Sequence, residues 1–270
     1  MRFDLIALDL DDTLLHTDLS ISAANRSALR RAHAAGAKIV LASGRNIFSM
    51  RKYAEQLGVA GPDDYIISTN GAEIVETGTG RVLFERRIPA ELCREVAVTI
   101  EAQGFPWQIY VNGVIHYKGW NHWTEEDSRL TGMPNRPIAD EDGAFAGGQL
   151  KFIVPGEPER IAVLHEEMRA LIGDRVEVLV SKPYFMEVLP SGVDKGIALR
   201  ELADRLGIGL DRTLAMGDAM NDLGMLRAAG FSCAPANAIA EAKSVAGWVS
   251  SLGNDEDFVA DALERWMEYP

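Results

Sequence analysis

Phe3-Asp4-Leu5-Ile6-Ala7-Leu8-Asp9-Leu10-Asp11-Asp12-Thr13-Leu14 is the stretch that decides the fold. An apolar run bounded by acids reads as a buried strand, and such strands open at a ligand crevice at their C-terminal end. Asp9 and Asp11 are two residues apart, so an extended backbone sets both on one face. Two like charges held there repel, and one is expected to take up a proton or a cation. The pattern suits a divalent cation beside an aspartate that attacks something. The same string also reads as an acidic turn after an edge strand, so the rest of the chain has to decide.

Outward from this stretch the pattern alternates. Ser22 predicts an N-cap, with a helix to Ala35 and Gly36 as its stop. Residues 37–42 read as a second buried strand, ending in Ser43-Gly44-Arg45. An amphipathic helix over 46–57, a strand over 65–68 and a turn at Asn70-Gly71 follow. Strand–helix alternation of this kind implies a parallel sheet with right-handed crossovers. Near Val82 the pattern changes. A helix over 89–103 precedes a hairpin, 107–111 and 114–117, around Asn112-Gly113. Then come a strand over 150–154, a helix over 157–172 and strands over 176–180 and 185–189. From Asp194 the alternation resumes, with a helix to 206, a strand over 213–216 and a helix from 220. The expected architecture is α/β: a Rossmann-like parallel-sheet core built from residues 1–82 and 188–270, with an α+β cap inserted at 83–187.

Composition narrows the partners. Of 270 residues, 47% are hydrophobic and 25% charged, an ordinary globular balance with length for one large or two moderate domains. A formal net charge of −13 argues against nucleic acid or anionic membrane as the main partner. An anionic small molecule would need local Lys, Arg or metal to attract it. No apolar run is long enough to span a bilayer, and Asp4 and Asp9 interrupt the N-terminal apolar stretch, unlike a signal peptide. The two cysteines, Cys93 and Cys233, fall in different expected domains and rule out a disulfide framework. A reducing cytoplasm fits these features. The sequence sets no oligomeric state.

Three further strings carry candidate chemistry. Ser43-Gly44, at a strand-to-helix turn, offers a hydroxyl and a backbone N–H to a phosphate oxygen, or is a plain cap and turn. Lys195, in Ser191-Gly192-Val193-Asp194-Lys195-Gly196, opens a helix, where its charge opposes the helix dipole. A bound phosphate would offset that; otherwise it is a solvated lysine beside a capping Asp194. Ala215-Met216-Gly217-Asp218-Ala219-Met220-Asn221-Asp222 ends a strand in a tight turn. Asp218 and Asp222 are four apart and repel if a helix has begun. A divalent cation would reverse the sign, and acidic capping is the other reading.

Asp9-x-Asp11-x-Thr13, Ser43-Gly44, Lys195 and Gly217-Asp218-x-x-Asn221-Asp222, in this order, resemble the four motifs of the haloacid dehalogenase superfamily of phosphoryl-transfer enzymes. The resemblance to its Cof-type subfamily extends over essentially the whole chain, including the large cap between the second and third motifs. Asn70-Gly71-Ala72, Asn237-Ala238 and Lys243 also match that subfamily. Asp12 departs from it, standing where glycine is usual, and Ser43 stands where threonine is frequent.

The resemblance implies a Mg²⁺-dependent phosphatase of small phosphorylated metabolites. Asp9 would be the nucleophile that forms an aspartyl-phosphate and Asp11 the general acid and base. Mg²⁺ would be held by Asp9, the carbonyl of Asp11 and Asp218, with Asp222 as a ligand or as support for the metal or its waters. Leu10 and Gly44 (through backbone N–H groups), Ser43, Lys195 and Asn221 would hold the phosphate. Related caps also occur in sugar phosphomutases, and a phosphometabolite-binding protein without turnover is a further reading. Arg45 is left unassigned. In the cap, Trp107, Tyr110, His116, Tyr117, Trp120, His122 and Trp123 read as a substrate-facing wall or as ordinary packing. Lys151 is the leading cap candidate for substrate specificity, with a solvated face as its other reading.

Overall fold

The structure, a computed structural model, describes residues 1–268. The chain divides into two compact units, one of residues 1–84 with those from 194 onward, the other of residues 85–193. In chain order the first unit begins with β1 (Leu5–Leu8), α1 (Ala23–Ala34), β2 (Lys38–Ala42), α2 (Ile47–Leu57), β3 (Tyr65–Ser68), β4 (Glu73–Glu76) and β5 (Val82–Glu85). The second comprises α3 (Ala90–Ala102), β6 (Trp107–Val111), β7 (Val114–Lys118), α4 (His122–Thr131), β8 (Asn135–Pro137), α5 (Glu141–Phe145), β9 (Phe152–Pro155), α6 (Pro158–Ile172), β10 (Val176–Lys182) and β11 (Phe185–Pro190). The first unit resumes with α7 (Lys195–Leu206), β12 (Thr213–Met216), α8 (Leu223–Ala228), β13 (Phe231–Ala234), α9 (Ala240–Val245), β14 (Trp248–Val249) and α10 (Phe258–Trp266).

The core sheet has the order β14-β13-β12-β1-β2-β3-β4-β5. β1 lies centrally and pairs in parallel with both β2 and β12. Strand order reverses at β1, so the C-terminal ends of β2, β1 and β12 flank a switch point where open α/β sheets bind ligands. All four residues of β1 are fully buried. Ile6 and Leu8 pack into one apolar layer, Leu5 and Ala7 into the other. That explains the unbroken apolar run: a strand covered on both faces needs no polar alternation. Sequence reading missed β4, which pairs antiparallel with β3. Four buried residues, two of them glutamates, carry no clear strand period. β5 lies beyond β4 and extends the core sheet past Val82.

The inserted unit is a sheet of order β10-β11-β9-β6-β7-β8. One sheet face packs Trp107, Ile109, Phe152, Val154, Met186 and Val188 against apolar residues of α3 and α6. Asn112 and Gly113 both have positive φ and close the β6–β7 hairpin. β11 runs to Pro190, through the expected boundary at 187/188. Cys93 and Cys233, in separate units, are free and buried. No helix among the described residues is long and apolar enough to cross a membrane.

Candidate active site

Asp9 follows β1, Ser43 follows β2 and Asp218 lies two residues past β12, so adjacent parallel strands deliver them to one edge of the sheet. Asp9, Asp218 and Asp222 each place a carboxylate oxygen within 4.8 Å of the others, and all three are buried. Lys195, fully buried, reaches between two of them: its Nζ donates to Asp9 Oδ1 at 2.5 Å and to Asp222 Oδ1 at 2.7 Å. The residue opens α7 behind the Asp194 N-cap, as expected. Its unfavourable place at the helix start is offset by these carboxylates.

Asp222 is a brace. Its Oδ2 accepts from the backbone N–H of Asp218 and of Ala219, each at 3.0 Å, while Oδ1 is taken by Lys195. A full α-helix begins only at Leu223, so the spacing of Asp218 and Asp222 is not a helix-face pair; the second acid folds back to cap the turn holding the first. Gly217 makes this possible, since a Cβ there would lie 2.6 Å from Asp222 Cβ. Thr13, fully buried, donates to Asp218 Oδ1 at 2.7 Å. The sequence expectation assigns Thr13 no role; its place in the first motif is the available signal.

Asn221 Nδ2 donates to Asn70 Oδ1 at 2.9 Å. Gly44 lies against the same amide, and a Cβ there would sit 3.1 Å from Asn70 Oδ1. Asn70 is thus a site residue that its reading as a turn only half anticipated. It and Thr69 both have φ near +50°; for β-branched Thr69 that is strained, costing about 1–3 kcal/mol, as occurs at ligand sites. Ser43 Oγ accepts the Arg45 N–H at 3.2 Å and keeps its own proton to donate. Leu10, between the two aspartates, is buried and its carbonyl accepts the Leu15 N–H at 2.8 Å. Asp12 adopts φ 59°, which explains why glycine suits that position. Asn237 donates to the Asp12 carbonyl at 2.8 Å and so steadies the motif turn.

Asp11 stands apart from the buried trio. Its carboxylate is half exposed and bound by Arg45, with Nε at 2.8 Å from Oδ2 and Nη2 at 2.5 Å from Oδ1.

Electrostatics describe a site short of positive charge. Burial, then the charge of Asp222, pushes the Asp9 carboxyl well above the usual range despite Lys195. Burial likewise lifts Asp218 to about 7, against the lowering effect of the Thr13 hydrogen bond. Burial disfavours the Lys195 ammonium, but Asp222 and Asp9 outweigh it and its pKa rises. Three carboxylates and one ammonium sum to −2, which a divalent cation would cancel. The oxygen-only donor set suits a hard divalent cation.

The charge imbalance has a measurable consequence. Carboxyls with raised folded-state pKa hold protons that the unfolded chain has released, so stability falls as pH rises between the two values. For Asp218 that window runs from 3.8 to about 7. Cation-free protein is expected to lose on the order of a few kcal/mol between pH 5 and 8, read by urea unfolding in EDTA. Mg²⁺ should flatten the slope. A flat profile in EDTA would contradict the crowding of charge.

In the inserted unit Lys151 is buried, just ahead of β9, and its Nζ lies 3.1 Å from Glu187 Oε1. The solvated-face reading of this lysine is therefore wrong. The aromatic residues form no single wall. Trp107 is fully buried in the unit's core, Trp123 stacks on Tyr184, and Tyr110 Oη donates to the buried Asp127.

The family model for haloacid dehalogenase-like hydrolases matches residues 6–263. The chain belongs to this family, in its Cof-type branch, and is an enzyme of the hydrolase class. The 5-amino-6-(5-phospho-D-ribitylamino)uracil phosphatase YcsE of Bacillus subtilis is 29% identical over 264 residues, spanning 97% of this chain and 95% of its own. HMP-PP phosphatase of Yersinia pestis is 28% identical over 278 residues, spanning 99% and 97%. A solved haloacid dehalogenase-like hydrolase from Bacteroides thetaiotaomicron superposes with a TM-score of 0.91 at 29% identity, over 98% of this chain and 99% of that one.

Proposed function

We propose that this hydrolase is a Mg²⁺-dependent phosphatase of small phosphomonoesters that works through an aspartyl-phosphate on Asp9. The observation that carries the proposal is the buried trio Asp9, Asp218 and Asp222 at the switch point of the sheet, with Lys195 bridging Asp9 and Asp222. The relatives named as phosphatases of small phosphorylated compounds support the substrate class.

Asp9 and Asp218 would hold the cation, with the Asp11 carbonyl; Asp222, whose oxygens already accept three hydrogen bonds, supports them. When bound, Mg²⁺ supplies charge neutralisation that lets a carboxylate approach a phosphate anion. A carboxylate oxygen of Asp9 bonds to phosphorus as the P–O bond to the alcohol breaks. Asp11 gives its proton to the departing oxygen. Water then attacks phosphorus, Asp11 takes a proton from it, and the bond to Asp9 breaks to release inorganic phosphate. Lys195 holds Asp9 in place and neutralises charge on the transferring group. Ser43, Asn221 and the N–H groups of Leu10 and Gly44 hold its oxygens.

Activity is expected to vanish in EDTA and return with Mg²⁺. Asp218→Ala should raise the Mg²⁺ needed for half-maximal rate by about 10–100-fold. An unchanged titration would remove Asp218 from the metal site. Calcium, with its larger and looser coordination shell, should inhibit.

Lys151 contributes substrate specificity in this proposal, its ammonium held by Glu187. Lys151→Met should lower kcat/KM on sugar or other large anionic phosphates about tenfold or more while sparing a very small phosphate ester, because a charge-assisted hydrogen bond contributes ~1.5–3 kcal/mol. A uniform change across the panel would leave Lys151 a packing residue.

A further inference from the structure

Each acid of the site has a side-chain partner. Lys195 holds Asp9 and Asp222, and Thr13 holds Asp218. Asp11 has Arg45, the third residue after β2, to which the sequence assigned nothing. Both nitrogens that Arg45 presents meet a separate oxygen of the same carboxylate, at 2.8 and 2.5 Å. A fork-to-fork pair of this kind fixes the plane and heading of a carboxylate, which a single hydrogen bond does not.

Arg45 is itself mounted firmly. Its side chain is 17% exposed. The guanidinium lies 5.7 Å from the ring centroid of Tyr53, a buried residue of α2. Its N–H donates to Ser43 Oγ and its carbonyl accepts from Thr69 N–H at 2.9 Å. The mount therefore ties Asp11 to the turn that follows β2.

We infer that Arg45 is a positioning residue for Asp11: it aims the carboxylate for proton transfer and does not hold the phosphate. The inference rests on the proposed role of Asp11 as proton donor and acceptor. A carboxylate carries about four lone-pair sites, all in its own plane, and the fork fixes that plane. Proton exchange with the departing oxygen or the attacking water runs along such lone pairs. Orienting them matters most where the leaving oxygen is basic and needs the proton as it departs. It matters little where a stabilised aryl oxide leaves.

The test compares kcat/KM on an alkyl phosphate and on para-nitrophenyl phosphate, since kcat/KM covers only the steps up to departure of the alcohol. Asp11→Asn comes first. It should lower the alkyl value by about 10²–10⁴-fold and the aryl value far less. If both fall alike, the role of Asp11 fails before Arg45 is touched, and the inference falls with it. With that role secured, Arg45→Ala should lower the alkyl value by about 10–100-fold and the aryl value by less than about threefold. Added to Asp11→Asn, it should change the alkyl value by no more than about threefold, because groups acting as a unit are not additive. Arg45→Lys, which keeps the charge without the fork, should restore only part of the loss and serves if the alanine protein does not fold. Equal losses on both esters, with inhibition by inorganic phosphate weakened in step, would make Arg45 a phosphate ligand and overturn the inference. So would losses that multiply in the double variant, or full activity without Arg45.

Discussion

Asp9→Asn is expected to abolish turnover, by about 10⁴-fold or more, while leaving the fold intact. A carboxamide oxygen is a poor nucleophile and a weak ligand for a hard cation. Stability should hold for a reason specific to this site. Asp9 is one of three clustered buried carboxylates and shares Lys195 with Asp222. Removing its charge takes the cation-free site from −2 to −1, and Lys195 keeps Asp222 as partner. Cation-free Asp9→Asn protein should therefore unfold at no lower urea concentration than wild type at pH 8. Near-normal phosphate release by this variant would take the nucleophile's role away from Asp9.

Lys195→Met should have the opposite profile in stability. The fully buried ammonium holds Asp9 and Asp222 together. Breaking a buried pair by removing one member costs about 3–5 kcal/mol, because the remaining charge is stranded. The loss should be largest in EDTA at pH 8. It should shrink towards pH 5, where Asp9 and Asp218, whose pKa values are already raised, take up protons. Mg²⁺ should restore part of it. Phosphatase activity should fall with the lysine under all these conditions, since no other described ammonium contacts Asp9. Unchanged urea unfolding at pH 8 in EDTA would show that Lys195 does not hold Asp9 and Asp222 together.

The edge of the sheet that carries the candidate site was legible because its signals are local. An apolar run ending in Asp9-x-Asp11, a glycine-bearing turn after β12 and a lysine at a helix start each name their own position. Long-range contacts were not legible. Nothing in the string announces that Lys195 spans to Asp9, 186 positions away, or that Thr13 caps Asp218 across 205. Asp222 was read as a helix-face neighbour of Asp218, because spacing alone does not reveal that a short turn precedes α8 and lets the acid fold back. β4 went unseen because its glutamates are buried and paired, Glu73 with Ser68 and Glu76 with Thr79 and Arg81. In the inserted unit, alternation put Lys151 opposite its apolar neighbours but left open whether that face meets solvent. The answer depended on Glu187, two strands' worth of sequence later.

Trapping the covalent intermediate tests the central claim most directly. Enzyme mixed with substrate and Mg²⁺, quenched in acid within one turnover, should carry one phosphoryl group on the tryptic peptide of residues 3–26, which holds Asp9 and Asp11. Borohydride reduction before mass spectrometry should convert only Asp9, the residue bearing the acyl phosphate, to homoserine. The mark should be missing from Asp9→Asn protein. Turnover with no phosphoryl group on this peptide, or with the reduced residue at Asp11, would contradict the account.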